Sequence, residues 1–381
     1  MFRRKGAFRL AGLVAAASLF AAACSDDDDN GAAEEEDGEE AAATGGDNGA
    51  GGLLGEVQDR GTLNCGVNEA VPGFGLVDEE GNFTGFDIEF CRVIAAAVLG
   101  DAEAVEYTSL DAETRFTALQ AGDIDVLSRN TTFTASRDGG EQSRFLATTF
   151  YDGQGMMVRA DSGYTSIEDM GGTTICVLSG TTTELNLATA ANTAGIDYTP
   201  LTFGSPDEIQ EAFGAGQCQG WTSDKSQLAG VRSAFPDADG GPDALVIFEE
   251  AFSKEPLGPV VLDGDDEWAD AVNWAVIAAL QAEEFGITSD NVEQMTTSEN
   301  LDILRFLGQP IPDPDDEEAE PAPFDAGLGL DADFAVNVIS QVGNYGEIYE
   351  RTVGPDTALG LERGANAQWT DGGLLYAPPY R

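Results

Sequence analysis

The 381 residues carry 69 acidic side chains against 18 basic ones, a net charge of −51, and no histidine. That balance excludes nucleic-acid binding through a basic footprint, and the missing imidazole excludes histidine-based metal ligation and acid–base chemistry. An apolar share of 42% is enough for real cores, and the length suits two domains of about 150 residues each.

Residues 1–24 read as an export signal. Arg3, Arg4 and Lys5 give a positive start, and Leu10–Phe20 is an apolar core too short for a convincing membrane span. Ala21-Ala22-Ala23-Cys24 resembles a lipobox without its usual leucine at Ala21. Lipidation of Cys24 is therefore expected, which would hold the chain on the outer face of the cytoplasmic membrane. Ordinary cleavage at an A-x-A site is the alternative. Residues 25–53 are acidic and rich in Gly and Ala, so they read as a disordered, self-repelling tether.

Folded structure is expected from Leu54. Thr62–Val67 reads as a strand running into the loop Asn68–Phe74. Gly85-Phe86-Asp87 opens an apolar helix to Leu99, stopped by Gly100. Val105–Thr108 is a strand, and Asp111 caps a helix carrying Phe116 and Leu119 that ends at Gly122. Ile124–Leu127 is a short buried strand. It opens into Ser128-Arg129-Asn130-Thr131-Thr132-Phe133-Thr134-Ala135-Ser136-Arg137. A strand of an α/β sheet that stops in hydroxyls, an amide and a guanidinium faces the crevice where such sheets bind ligands. A guanidinium matches a carboxylate in two-point geometry. A hydrophilic loop with a surface salt bridge is the bland alternative.

Phe150–Gly155 holds two glycines and reads as a first crossing between lobes. Strand–helix alternation then repeats. Thr173–Leu178 is a strand, Ser179–Glu184 a turn that opens a helix to Gly195, and Ser205-Pro206-Asp207-Glu208 a helix start. Cys218–Trp221 is a strand ending at Thr222-Ser223-Asp224, where Asp224 on its own reads as a cap for the helix Lys225–Ala234. Strands Ala244–Phe248 and Gly258–Leu262 flank a return crossing, and Asp265 caps a long helix. Residues 309–326, with five prolines and many acids, read as a solvated linker. A helix marked by Phe334, Val338 and Val342 follows.

The ordered set of these motifs resembles the polar-amino-acid solute-binding proteins of bacterial ABC importers, and within them the general L-amino-acid-binding subfamily. Resemblance runs over Asp125–Arg137, the Gly-Phe-Asp helix start, the Gly180-Thr181-Thr182 turn, and the ending Arg363–Arg381. It implies an α/β fold: a two-lobed, periplasmic-binding-protein-like (type II) clamshell with a ligand cleft between lobes. Lobe 1 would take residues 54–153 and 253–308, lobe 2 residues 154–252, and a C-terminal extension 327–381 would pack on lobe 1. The resemblance also implies a monomeric extracytoplasmic receptor that hands free L-amino acids to the permease subunits, without cofactor or catalysis. Arg137, Thr132 and the Thr182 backbone would hold the α-carboxylate, and Asp224 the α-ammonium. Asn130 would add an amide, and Asn68, Glu69, Phe86 and Arg129 would shape the side-chain pocket. An exported dehydratase-like enzyme on the same fold, using Glu69 and Asp224 as an acid–base pair, is the rival, and a chemosensory binding protein a second.

Four cysteines follow Cys24. Two fall in each expected lobe, and a bridge between lobes would block closure. The expected pairs are Cys65–Cys91 and Cys176–Cys218.

Overall fold

The computed structural model describes residues 52–78, 80–313 and 318–381. The export signal, Cys24 and the tether up to residue 51 lie outside the described residues. Among the described residues no helix is long and apolar enough to cross a membrane.

Two five-stranded sheets organise the chain. The first runs Val105–Ser109, Leu63–Val67, Val126–Leu127, Val260–Leu262, Ser143–Phe145. The second runs Thr199–Phe203, Thr174–Leu178, Gly220–Asp224, Gln154–Arg159, Leu245–Ile247. In each sheet the first three strands are parallel. The fourth is antiparallel to both its neighbours. That fourth strand is the one the chain forms just after crossing from the other lobe. Both crossings pair with each other: Phe150–Asp152 lies antiparallel to Glu255–Leu257, with Glu255 opposite Asp152. Gly153 is needed there, because a Cβ would stand 2.9 Å from the Ser253 carbonyl oxygen. The fold is a two-lobed clamshell.

The first lobe is built around helix Phe86–Leu99 and helix Asp266–Glu284, which pack on each other. Gly85 sits at φ 128°, and a Cβ there would come within 2.3 Å of the Phe74 carbonyl oxygen. Only glycine lets the helix start this close to the preceding hairpin. The next side chain, Phe86, is then driven inward. It meets Phe74, Phe90, Phe150, Tyr345 and Tyr349 in an aromatic cluster. Phe86 is a core residue with no exposure, so its expected place in the side-chain pocket is corrected. Burying a ring of this size contributes roughly 1.5–3 kcal/mol.

Tyr345 and Tyr349 come from the C-terminal extension, on helix Tyr345–Thr352. Its Tyr345 hydroxyl donates to the Thr149 carbonyl at 2.8 Å. Farther on, the Asn366 side chain accepts from the Tyr151 N–H at 2.6 Å and donates to the Tyr151 carbonyl at 3.1 Å. The extension thus grips the first crossing strand as well as the lobe.

Three expectations change. A helix, Gly52–Arg60, begins inside the segment read as tether. Leu54 and Val57 bury its inner face, and the Leu53 N–H donates to Asp265 at 2.8 Å. The glycine-rich composition hid that i, i+3 pair. The strand read at Ile124–Leu127 is only Val126–Leu127, and the Asp125 carboxylate just before it bonds the Asn64 N–H and Arg60. The 309–326 stretch is pinched where Ile311 and Ala322 exchange backbone hydrogen bonds at 3.0 and 3.2 Å.

The disulfides are Cys65–Cys91 and Cys176–Cys218, the pairs expected. The second closes a loop with a sequence separation of 42. Replacing both Cys176 and Cys218 by Ala is expected to lower lobe 2 stability by about 2–4 kcal/mol, read as an earlier denaturant midpoint in the fluorescence of buried Trp221.

Candidate functional site

The carboxyl ends of both sheets face one cleft, the place where α/β sheets bind ligands. From the first lobe come Asn68, Arg115, Arg129, Asn130, Thr132 and Arg137. From the second come Thr181, Thr182, Thr183, Ser223, Asp224 and Gln227, beside Leu178. The cavity between them is about 20 Å³, room for one water. An amino acid therefore enters only when the lobes part.

The lobes touch across this space. Thr132 and Thr182 hydroxyls stand 3.3 Å apart. The Asn130 amide reaches Gln227 at 3.5 Å, and the Ser223 hydroxyl donates to the same Gln227 oxygen at 3.0 Å. The Ser179 hydroxyl donates to Glu113. Gly230, on helix Lys225–Ser233, packs so closely on Pro72 that a Cβ would lie 2.4 Å from the Pro72 carbonyl oxygen.

Arg137 is held on short helix Ala135–Gly140, capped by the Thr134 hydroxyl. Its Nη1 donates to the Thr132 carbonyl at 3.0 Å, and its guanidinium lies 5.6 Å from the Phe116 ring centre. Burial pulls its pKa down, while Asp224 and Glu255 push it up. Asp224 ends strand Gly220–Asp224 and is 5% exposed. It makes no cap hydrogen bond to the helix that follows. Its Oδ1 is buried with no hydrogen-bond partner. Burial, then the nearby Asp152 and Glu255 carboxylates, drive its pKa well above the usual carboxylate range. Burial also pushes Asp152 up to about 6.

The strand-end loop is braced from behind. Asn130 adopts φ 27°, and its N–H donates to Asp87 at 2.7 Å. Burial lifts the Asp87 carboxyl to about 7, against the pull of the Asn130 N–H and Arg129. The Arg129 Nε donates to the Leu110 carbonyl at 2.7 Å. Asn68 donates to the Asn130 amide oxygen at 3.3 Å.

Seven of the residues singled out by sequence thus line one cleft: Asn68, Arg129, Asn130, Thr132, Arg137, Thr182 and Asp224. Phe86 does not, as shown above. Glu69 is exposed and outside the cavity, because its neighbour Asn68 takes the inward position and ties down the Glu69 N–H. Sequence reasoning missed Arg115, Gln227, Ser223 and Glu255. Arg115 carried a signal: it lies three and four residues before Ala118 and Leu119, on the buried stripe of its helix. Glu255 is 1% exposed and accepts from Thr182 and Asn186 at 2.8 Å each, and from Ser253. It ties the crossing strand to the start of helix Thr182–Ala194.

The profile of the bacterial extracellular solute-binding proteins, family 3, matches residues 63–290. The general L-amino acid-binding periplasmic protein AapJ of Rhizobium johnstonii is 47% identical over 328 residues, covering 86% of this chain and 92% of that one. The glutamate/glutamine/aspartate/asparagine-binding protein BztA of Rhodobacter capsulatus is 46% identical over 331 residues, covering 86% and 93%. The solved structure of an ABC transporter periplasmic binding protein from Brucella ovis with glutathione bound superposes with a TM-score of 0.80 at 44% identity, covering 87% of this chain and 100% of that one. Two lobes of this topology, a cleft between them and these likenesses place the chain among the bacterial extracellular solute-binding proteins, family 3.

Proposed function

We propose that this protein is an extracytoplasmic receptor that closes on an L-amino acid and delivers it to an ABC importer. One observation carries the reading: a guanidinium from one lobe and an unpartnered buried carboxylate from the other line the same cleft. Arg137 takes the α-carboxylate, helped by the Thr132 hydroxyl and the Thr182 N–H at a helix start. Asp224 takes the α-ammonium. Asn68, Asn130 and Arg129 border the remaining space. The printed names of AapJ and BztA, both amino-acid-binding proteins, support the ligand class. They equally support binding over catalysis. Lipidation of Cys24 keeps the receptor, as a monomer, on the outer face of the cytoplasmic membrane, where the importer's permease subunits are.

The zwitterion bridges the lobes, so it binds the closed form better and shifts the population toward it. Calorimetry against the twenty L-amino acids tests the reading. Binding with the ligand recovered intact supports a receptor, and a chemically altered ligand supports the enzyme instead.

Arg137→Ala removes one partner of a buried charge pair, so affinity is expected to drop at least about thirtyfold, with the ligand-free melting temperature little changed. Gly230→Ala should prop the lobes apart against Pro72. Titration should show ligand binding weaker by about tenfold to a hundredfold, though residue 230 is remote from the ligand.

Proton linkage follows from Asp224. Its folded pKa is raised, so the folded protein without ligand holds a proton that the unfolded chain has released. This group's contribution to stability therefore falls as pH rises above about 4. An ammonium needs the ionised carboxylate, so binding releases that proton. Calorimetry in two buffers of different ionisation enthalpy, repeated from the ordinary carboxylate range upward, is expected to show net proton release, and affinity is expected to fall on acidification. The Asp224→Asn variant is expected to lose both effects.

A further inference from the structure

A cavity of about 220 Å³ lies where the end of helix Asp266–Glu284 meets the last residues of the C-terminal extension. It is far roomier than the closed cleft, and the two share no lining residue. An apolar cavity of about 150 Å³ already holds a benzene-sized molecule, so a small organic molecule fits here. The walls are aromatic: Phe285, Trp369, Tyr376 and Tyr380. The Trp369 and Tyr376 rings meet at 67° with centres 5.6 Å apart, which makes a corner rather than a flat surface. Both stay exposed, at 49% and 63%. Tyr380 is fixed from behind by the rings of Trp274, Phe306, Phe324 and Phe334, with centres 5.6, 6.1, 5.7 and 6.0 Å away. A ring locked this way loses little freedom when a ligand lands on it.

The charged groups in the lining are Glu284, Asp302 and Arg381. Asp302 is already paired with Arg305 at 2.7 Å. Glu283, next to Glu284, pairs with Arg363 and accepts from Gln368 at 2.9 Å each. Glu284 has no such donors. Among the described residues it forms no ion pair, and its Oε2 is buried with no hydrogen-bond partner. A carboxylate oxygen shut off from water and from donors is relieved by a cation that carries N–H groups. The faces of the aromatic rings attract the same charge. A bare metal ion is the wrong occupant, because no cluster of three or more Cys, Asp or Glu side chains among the described residues could hold one. A neutral apolar molecule would leave Glu284 unrelieved, and an anion would add repulsion.

We propose that this cavity is a second binding site, separate from the cleft, for a small organic amine in its ammonium form. The ammonium donates to Glu284, and the apolar body of the ligand lies in the corner of Trp369 and Tyr376, over Tyr380. Arg381 is exposed, so water and salt screen its repulsion of the ligand. The site stands whether or not the cleft takes amino acids, since no residue is common to both.

The test is calorimetric titration of the full chain with phenethylamine and with its uncharged analogue, phenethyl alcohol. The amine is expected to bind at least about tenfold tighter than the alcohol. Glu284→Gln keeps the shape of the side chain and is expected to erase that preference through a loss for the amine. Trp369→Ala removes an exposed ring and is expected to weaken the amine at least about threefold, which serves if the Gln variant does not fold. Arg381→Ala removes a like charge and is expected to leave amine affinity equal or up to about threefold higher. Absence of amine binding, or equal affinity for amine and alcohol in the wild type, overturns the proposal. So does amine binding that is undiminished in Glu284→Gln and in Trp369→Ala. Amine binding lost in Asp224→Asn belongs to the cleft and overturns the second site, and a loss in Arg381→Ala overturns the cation.

Discussion

This cleft holds a carboxylate taken out of water with an oxygen facing nothing. Asp224 is in that position, at the end of a central strand, with Asp152 and Glu255 close enough to raise its pKa further. The idealised cost of stripping such a group of water runs to many kcal/mol, and even the relaxed cost is several. Burial and the two neighbouring carboxylates therefore favour its protonated form. In the proposed complex, a ligand ammonium changes the sign of the local balance. It supplies the missing charge and the missing donor at once. Arg137 opposite does the same for the other pole. Closure without ligand is therefore penalised by the same two side chains that make closure with ligand favourable.

The two sheets explain why those side chains can meet. Each sheet presents its parallel strand ends to the cleft, and each receives its antiparallel strand directly from a crossing segment. The crossings are short and paired, with Glu255 opposite Asp152. Glu255 then reaches Thr182 and Asn186 on the second lobe. One residue of the crossing thereby fixes the start of helix Thr182–Ala194 at the cleft. The Thr182 hydroxyl is committed to Glu255, which leaves its N–H for an anion.

Much of this was legible because local rules and burial agreed. Gly100 and Gly122 stop their helices in the left-handed conformation expected of them. Ser205 and Asp265 cap theirs. The disulfide pairs followed once the cysteines were sorted by lobe. The misreadings have a common cause: adjacency in sequence says nothing about which of two neighbours points inward. Glu69 and Phe86 adjoin residues that matter, Asn68 and Asp87, yet one points to solvent and the other into the core. Arg115 and Gln227 were missed for the converse reason. Both sit on helices, where a polar residue reads as surface, yet Arg115 lies on its helix's buried stripe and Gln227 is buried where the two lobes meet. Glu255 was unreadable in kind, since its partners lie about 70 positions upstream.

The C-terminal extension bears on how the clamshell flexes. Asn366 clamps both backbone groups of Tyr151, and Tyr345 bonds the carbonyl of Thr149. Arg363 lies over the rings of Tyr345 and Tyr349 at 5.0 and 4.9 Å and pairs with Glu283 at 2.9 Å, which fixes the clamp to the long helix of the first lobe. A crossing strand held this way moves with lobe 1. In the proposed opening of the lobes the change is then left to residues downstream, around Gly153, which packs against Ser253 of the returning strand. Confining the change in φ and ψ to a few residues keeps both lobes rigid. Rigid lobes would return Arg137 and Asp224 to the same separation at every closure, and the proposed two-pole grip depends on that separation more than on the strength of either contact.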